Sequence, residues 1–304
     1  MKLRLGARGS ALSLAQASLV SGALAGRAGV EAVEIVEVRT TGDRKSAAGE
    51  PISWKGDFTR ELDEALRSGA IDFAVHSLKD VPSTMAAGLV LAAVPERQDP
   101  RDALVSHPAR GFAQLPAGAR VGTSSPRRRA QLLAARPDLE VVEARGNVDT
   151  RIRRLREGKW DAIVLARAGL ARLGRLEEIV ELFPEELLLP AAGQGALAVT
   201  AREEDARVRE ILAGIGHPPS HAEVVCERAL LARLEAGCRA PVAARARVSA
   251  GSLGIDAAVF SADGARALRF RAEGADRDAD RIGRDLGERL LAAGAAALIG
   301  PGGA

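Results

Sequence analysis

Short β-branched apolar runs alternate along the chain with stretches whose apolar residues recur at helical spacing. That alternation predicts βαβ units and a largely parallel sheet. Lys2–Ala7 reads as a strand, followed by a turn and a helix from about Ser10 to Ala25. Val33–Thr40, rich in β-branched residues, reads as a second strand. Lys55–Gly69 carries Phe58, Leu62, Ala65 and Leu66 on one helical face, with Gly69 able to end the helix. Ile71–His76 and Leu89–Val94 read as short buried strands.

A second unit begins near Asp99. Arg120–Gly122 ends a strand, and Ser125–Arg136 reads as a helix with Pro126 at its first position. Leu139–Glu143 and Trp160–Leu165 read as further strands. Between them Asn147 caps a helix with an apolar stripe at Val148, Ile152 and Leu155. Gly195–Ala201 is a strand able to return to the first unit, which would make that domain discontinuous. His217-Pro218-Pro219-Ser220 reads as a linker. After it come a helix over Ala222–Glu235 ended by Gly237, strands Val242–Val248, Ile255–Phe260 and Ala267–Ala272, and an amphipathic helix Asp278–Ala293. The tail after Leu298 reads as frayed. No internal repeat is evident. The expected domains are 1–98 with 195–216, 99–194, and 217–304, the last an α+β unit.

Composition narrows the class. Hydrophobic residues make up 47% of the 304 positions, enough for real cores. Lys and Arg number 43 against 40 acidic residues, so the positive excess is small and poorly suited to duplex binding. Two cysteines, Cys226 and Cys238, make neither a disulfide framework nor a CxxC metal motif. They fit a reducing cytoplasm, with one thiol available for chemistry. Lys2, Arg4 and Arg8 before Ala- and Leu-rich sequence loosely mimic a leader, but polar residues break that run.

Polar clusters sit where the expected strands end, the edge at which open α/β sheets bind ligands. Gly6–Ser10 places Arg8 and Ser10 at a helix start. His76–Pro82 places Lys79 beside Asp80, a pair suited to acid–base work or to a plain loop salt bridge. Val121–Arg129 runs from a strand through Thr123, Ser124 and Ser125 into a helix start, where free N–H groups and hydroxyls suit an anion. Arg127 and Arg128 add bidentate carboxylate donors, whereas Arg129 points elsewhere around the helix. Arg145 and Arg151 flank the Asn147 cap and could meet one anion. The alternative for each cluster is ordinary capping with a solvated basic face. Cys226 lies inside a helix among apolar neighbours and reads as packing. Cys238 lies in a loop, where the adjacent Arg239 would favour the thiolate.

Seven segments in order resemble the porphobilinogen deaminase family: HSLKDVP (76–82), RQDPRDA (97–103), VGTSSPRRR (121–129), RGNVDTR (145–151), LARAGLARLG (165–174), LPAAGQGAL (189–197) and LEAGCRAP (234–241). The resemblance implies two α/β domains like the halves of periplasmic binding proteins, with a cleft between them, and a small α+β domain carrying a cysteine loop. It implies a covalent dipyrromethane cofactor on Cys238, held by a thioether and built from the substrate's own pyrroles. Four porphobilinogens would add to that primer, each losing ammonia, before hydrolysis releases hydroxymethylbilane. Each porphobilinogen carries an acetate and a propionate, so a growing chain needs many guanidinium groups.

By the same resemblance, Asp80 is the catalytic carboxylate that stabilises the cationic azafulvene and shuttles protons. Lys79, Ser77, Thr123, Ser124, Ser125, Arg127, Arg128, Arg145 and Asn147 are cofactor-binding. Arg8, Ser10, Arg145, Arg151, Arg172, Lys55, Phe58 and Gln194 are substrate-binding, and Gln194 sits in a segment suited to a hinge. No metal is implied. The enzyme would be a cytoplasmic monomer with no nucleic-acid or membrane partner.

Four positions depart from the family pattern. Trp54 and Asp57 interrupt a usually Gly-rich loop, Pro126 replaces a more usual Leu, and Asp149 puts a negative charge between two anion-binding arginines. Two other classes compete: a non-catalytic two-lobed solute-binding protein, which would not need Cys238, and a nucleic-acid binder using the Arg-rich helices.

Overall fold

The computed structural model describes residues 1–42, 59–237 and 240–300. Two units separate: Met1–Gln98 with Ala196–His221, and Asp99–Gly195 with Ala222–Ala304.

The first unit is built on strands β1 (Lys2–Ala7), β2 (Ala32–Glu37), β3 (Phe73–Ser77), β4 (Leu89–Ala93) and a late strand, Leu197–Arg202, with helices α1 (Ala11–Leu24) and α2 (Arg60–Arg67). Strand β1 runs parallel to both β2 and β3. The late strand inserts between β3 and β4 and runs antiparallel to both. Each face buries a separate core. Leu3, Leu5, Phe73 and Val75 meet Ala17, Val20 and Leu24 of α1. Leu62 and Leu66 of α2 meet Ile71, Ala74 and Leu89. Each fully buried Leu or Phe contributes about 1.5–3 kcal/mol. Helix α1 starts where expected because Ser10 is extended and its hydroxyl accepts from Ser13 N at 3.3 Å.

The second unit repeats the same strand plan. Its strands, in chain order, are β5 (Asp102–Ser106), β6 (Arg120–Gly122), β7 (Glu140–Val142), β8 (Ala162–Ala166) and β9 (Glu181–Leu182). Their order is β7-β6-β8-β5-β9. Three parallel strands are extended by the antiparallel β5, as β10 (Leu197–Arg202) extends the first sheet. Both sheets are therefore mixed, where the alternating pattern predicted largely parallel ones. The physical reason is the connection. Strands β5 and β10 each follow a strand of the other sheet, so no βαβ crossover sets them parallel to their neighbours. Helices α3 (Pro126–Ala135), α4 (Val148–Arg156) and α5 (Arg167–Arg172) follow β6, β7 and β8.

The remaining helices are α6 (Ala206–Ala213) in the first unit and α7 (Pro218–Arg233), α8 (Ala279–Ala292) and α9 (Ala295–Ile299). Helices α7 and α8 cover an antiparallel sheet of β11 (Val242–Ser249), β12 (Ser252–Phe260) and β13 (Ala267–Ala275). The β11–β12 turn places Ala250 at φ 49° and Gly251 at φ 79°, the left-handed pair a two-residue hairpin requires. Gly283 lets α8 approach α7 closely, since a Cβ there would lie 2.1 Å from Cys226 O.

Three expectations change. His217–Ser220 is not a free linker. Pro218 and Pro219 open α7, where their missing N–H groups cost nothing, and His217 Nδ1 accepts from Ser220 N at 3.3 Å. Helix α7 ends at Arg233, and the left-handed residue is Glu235 (φ 51°) rather than Gly237. The residues beyond Leu298 also begin differently, since α9 extends to Ile299.

Candidate active site

Strands β1 and β3 are parallel neighbours, so their carboxyl ends open on one edge. Arg8 follows β1, Ser10 caps α1, and a short 3-10 turn, Leu78–Asp80, follows β3. Together they bring Arg8, Ser10, Ser77 and Asp80 to one pocket, four residues that the motifs single out separately. Among the described residues, Lys79 shares the turn with Asp80 but does not line that pocket.

The pocket wall also contains Ser13, Gln16, Thr59 and His76, none of which was assigned a role from sequence. Ser13 Oγ accepts from Arg8 N at 3.0 Å, and Gln16 Nε2 donates to Ser77 Oγ at 2.7 Å. These bonds fix the backbone at Arg8 and the hydroxyl of Ser77. Burial pushes the His76 imidazole down to about 4, and the Arg8 charge acts in the same direction, so the ring is neutral at pH 7. Its Nε2 lies 3.4 Å from Thr200 Oγ1. In the sequence Gln16 stands out only as one of the polar residues that break the Ala- and Leu-rich run.

In the second unit, β6 and β7 are parallel neighbours, which sets the Thr123–Ser125 loop beside the Ala144–Asn147 loop. Ser124 Oγ donates to Ala144 O at 2.5 Å and ties the two loops together. Ser125 Oγ caps α3 by accepting from Arg128 N at 3.4 Å, and Thr123 Oγ1 accepts from Ser125 N at 3.2 Å. Asn147 Oδ1 caps α4 by accepting from Thr150 N at 2.9 Å.

The arginines divide into two groups. Arg127 and Arg128 are buried on the carboxylate of Asp102. Burial alone would raise the Asp102 carboxyl, but the two guanidinium charges and their hydrogen bonds hold it well below the usual carboxylate range. Arg172 is also deeply placed. Its Nη2 donates to Gly195 O at 2.6 Å, and desolvation pulls the guanidinium down to about 10. Arg145 instead faces solvent, paired with Glu143 at 2.7 Å. Arg151 Nε donates to Gly146 O at 2.8 Å. Asp149 is paired with Arg175 at 2.5 Å, which offsets the charge it adds beside these arginines. Gln194 is buried, with Nε2 donating to Pro100 O at 2.6 Å and to Asp102 at 2.8 Å. Arg129 reaches Val141 O and stays outside the Asp102 group.

Two further buried residues were not assigned from sequence. Asp102 lies within a recognised motif but carried no role. Glu227 accepts from Gly193 N at 2.6 Å and from Ala246 N at 2.8 Å, tying the 189–195 segment to α7 and β11. Cys226 is fully buried, and burial, followed by the charges of Glu227 and Asp280, pushes its thiol up to about 12. That fits a packing residue. Lys55, Phe58 and Cys238, with Trp54 and Asp57, lie outside the described residues. The flanking Ala236 and Ala240 belong to the core under the three-stranded sheet.

A carboxylate, hydroxyls and guanidinium groups at the strand ends of two like-built sheets suit a class, an α/β enzyme for carboxylate-bearing substrates. Family comparison makes it specific. Residues 3–210 match the family described as porphobilinogen deaminase, dipyromethane cofactor binding domain, and residues 221–292 match its C-terminal domain. A porphobilinogen deaminase of Rubrobacter xylanophilus is 51% identical, over 98% of this chain and 97% of that protein. One from Geobacter metallireducens is 45% identical over 98% of this chain and 94% of its own length. The chain belongs to the porphobilinogen deaminase family. A nutrient-binding protein of Burkholderia cenocepacia bound to methionine superposes on 69% of this chain and 90% of its own, with TM-score 0.43 and 15% identity.

Proposed function

We propose that Asp80 is the acid–base carboxylate with which this chain, as a porphobilinogen deaminase, joins four porphobilinogens head to tail with loss of ammonia and releases hydroxymethylbilane. The grouping of Arg8, Ser10, Ser77 and Asp80 in one pocket carries this reading. A guanidinium and two hydroxyls can hold the acetate and propionate of one pyrrole, leaving the carboxylate to face the ring. As ammonia leaves, the Asp80 carboxylate stabilises the positive charge that develops on the substrate. It then holds the pyrrole N–H proton and accepts the proton lost from the α-carbon. Lys79, in the same turn, supplies a cation to a neighbouring carboxylate.

The family cofactor is a dipyrromethane, and the residues present fit it. Among the described residues, Arg127 Nε and Arg172 Nε are buried donors without a hydrogen-bond partner. Buried donors left open in this way suit the carboxylates such a cofactor bears. When bound, the cofactor supplies the free pyrrole position onto which the chain grows. Cys238 would hold it covalently. Arg127, Arg128, Thr123, Ser124, Ser125 and Asn147 would orient it, with Arg145, Arg151 and Arg172 receiving the lengthening chain. Lys55, Phe58 and Gln194 complete the proposed substrate contacts. We assign 1–98 with 195–216, 99–194, and 217–304 as its three domains, and a cytoplasmic monomer as the working form. The near-balanced charge supports the absence of a nucleic-acid partner.

In Asp80→Asn, turnover is expected to fall by about 100- to 10,000-fold, while the purified protein keeps its covalent primer. Turnover within twofold or so of the unaltered enzyme would assign the proton work to another group.

A further inference from the structure

We propose that Asp102 is a positioning residue for cofactor binding: one buried carboxylate that sets the pose of Arg127 and Arg128 and couples both to the 190–195 segment through Gln194. The inference rests on the cofactor reading above and extends it to a residue that touches neither cofactor nor substrate. Asp102 is fully buried, and Arg127 and Arg128 are 3% and 6% exposed. Oδ1 receives three donors, Arg128 Nε at 3.0 Å, Arg128 Nη2 at 2.6 Å and Gln194 Nε2 at 2.8 Å. Oδ2 lies 2.8 Å from Arg127 Nη1, which donates to Leu189 O at 2.7 Å.

Two consequences follow from this arrangement. The first is geometric. Arg128 spends Nε and Nη2 on Asp102 and Nη1 on Val164 O, so its plane is fixed. Arg127 is pinned through Nη1, and its Nε stays buried and open. A guanidinium held at one end with a donor left over is oriented for a ligand before the ligand arrives. The second is electrostatic. Two guanidiniums against one carboxylate leave one net positive charge in a buried place. A single ligand carboxylate balances it, and a neutral ligand does not. Without Asp102 the imbalance doubles, and each guanidinium keeps only its backbone tie, Arg127 to Leu189 O and Arg128 to Val164 O, and loses its second point of attachment. Gln194 reads the same carboxylate, so the loop holding Gly193 and Gly195 takes its position from the same atom.

The test measures primer assembly. Primer-free Asp102→Asn, Asp102→Glu and unaltered protein are given porphobilinogen, and acquisition of two pyrrole units on Cys238 is followed by intact mass, normalised to the folded fraction from circular dichroism. Asp102→Asn is expected to load about 100-fold more slowly per folded molecule. Asp102→Glu keeps the charge and so keeps the fold, but its extra methylene shifts both guanidiniums, and loading is expected to slow about tenfold. The primed fraction of each variant should show a raised KM at a smaller change in kcat. A role in folding alone would leave the rate per folded molecule unchanged. Loading of Asp102→Glu at the unaltered rate per folded molecule overturns the proposal, whatever Asp102→Asn does. Failure of the unaltered protein to load overturns the cofactor reading instead.

Discussion

Arg172→Met separates stability from function in one substitution. Arg172 is held at about 10 by desolvation against an ordinary 12.5. At 1.36 kcal/mol per pKa unit, carrying its charge at neutral pH costs the fold about 3 kcal/mol. Methionine removes that cost and fills the same space with an unbranched apolar chain. It also loses the bond from Nη2 to Gly195 O at 2.6 Å. A hydrogen bond to a charged group contributes about 1.5–3 kcal/mol. The balance is a variant between unchanged and about 2 kcal/mol more stable, a rise of up to about 8 °C in melting temperature for a unit of this size. Calorimetry reads the melting point and steady-state kinetics the function. KM for porphobilinogen should rise at least about tenfold, the effect of losing one charge-assisted contact. A loss of more than about 2 kcal/mol would refute the reasoning, because Arg172 would then be a structural tie and not an anion receiver kept at a cost.

Two further outcomes follow. Glu227→Gln keeps one acceptor oxygen for two backbone donors, so a buried N–H at Gly193 or Ala246 loses its partner. Denaturant unfolding should show a loss of about 3 kcal/mol, and a loss under about 1 kcal/mol would mean the carboxylate does not hold that junction. His76 stays neutral in the fold down to about pH 4, whereas the unfolded chain takes up the proton near 6.5. The unfolded state then binds more protons across that window, so stability is full above pH 6.5 and falls as pH drops toward 4, by up to about 3 kcal/mol. Unfolding measured at stepped pH should show this slope in the unaltered protein and lose it in His76→Gln; an equal slope in both would place the proton uptake elsewhere.

What could be read in the sequence follows from where each signal is local. Strand β1 and helix α1 were legible because alternation and the Ser10 cap lie within a few residues of each other. Helix α3 was legible from Ser125 and Pro126. Strand β5 was missed because its five residues are all buried, with Asp102 and Ser106 at the ends, so it shows no alternation. Antiparallel insertion of β5 and β10 is a property of pairing, which no single segment encodes. Likewise the strand plan repeats in the two sheets without a sequence repeat. At the site, Asp80, Arg8 and Ser77 were legible as strand-end residues. Asp102 was not, since its partners lie 25 to 92 residues away. Arginines 127 and 128 were expected to face a ligand directly, and only the fold reveals that a buried carboxylate already shares them.

The proposed reaction requires a primer tethered to one thiol. Intact mass spectrometry of the purified, active protein, followed by peptide mapping, reads it most directly. The expected result is an excess equal to two linked pyrroles, carried wholly by the peptide containing Cys238 and absent from that containing Cys226. A bare chain mass in protein that still turns over porphobilinogen, with Cys238 unmodified, would contradict the account.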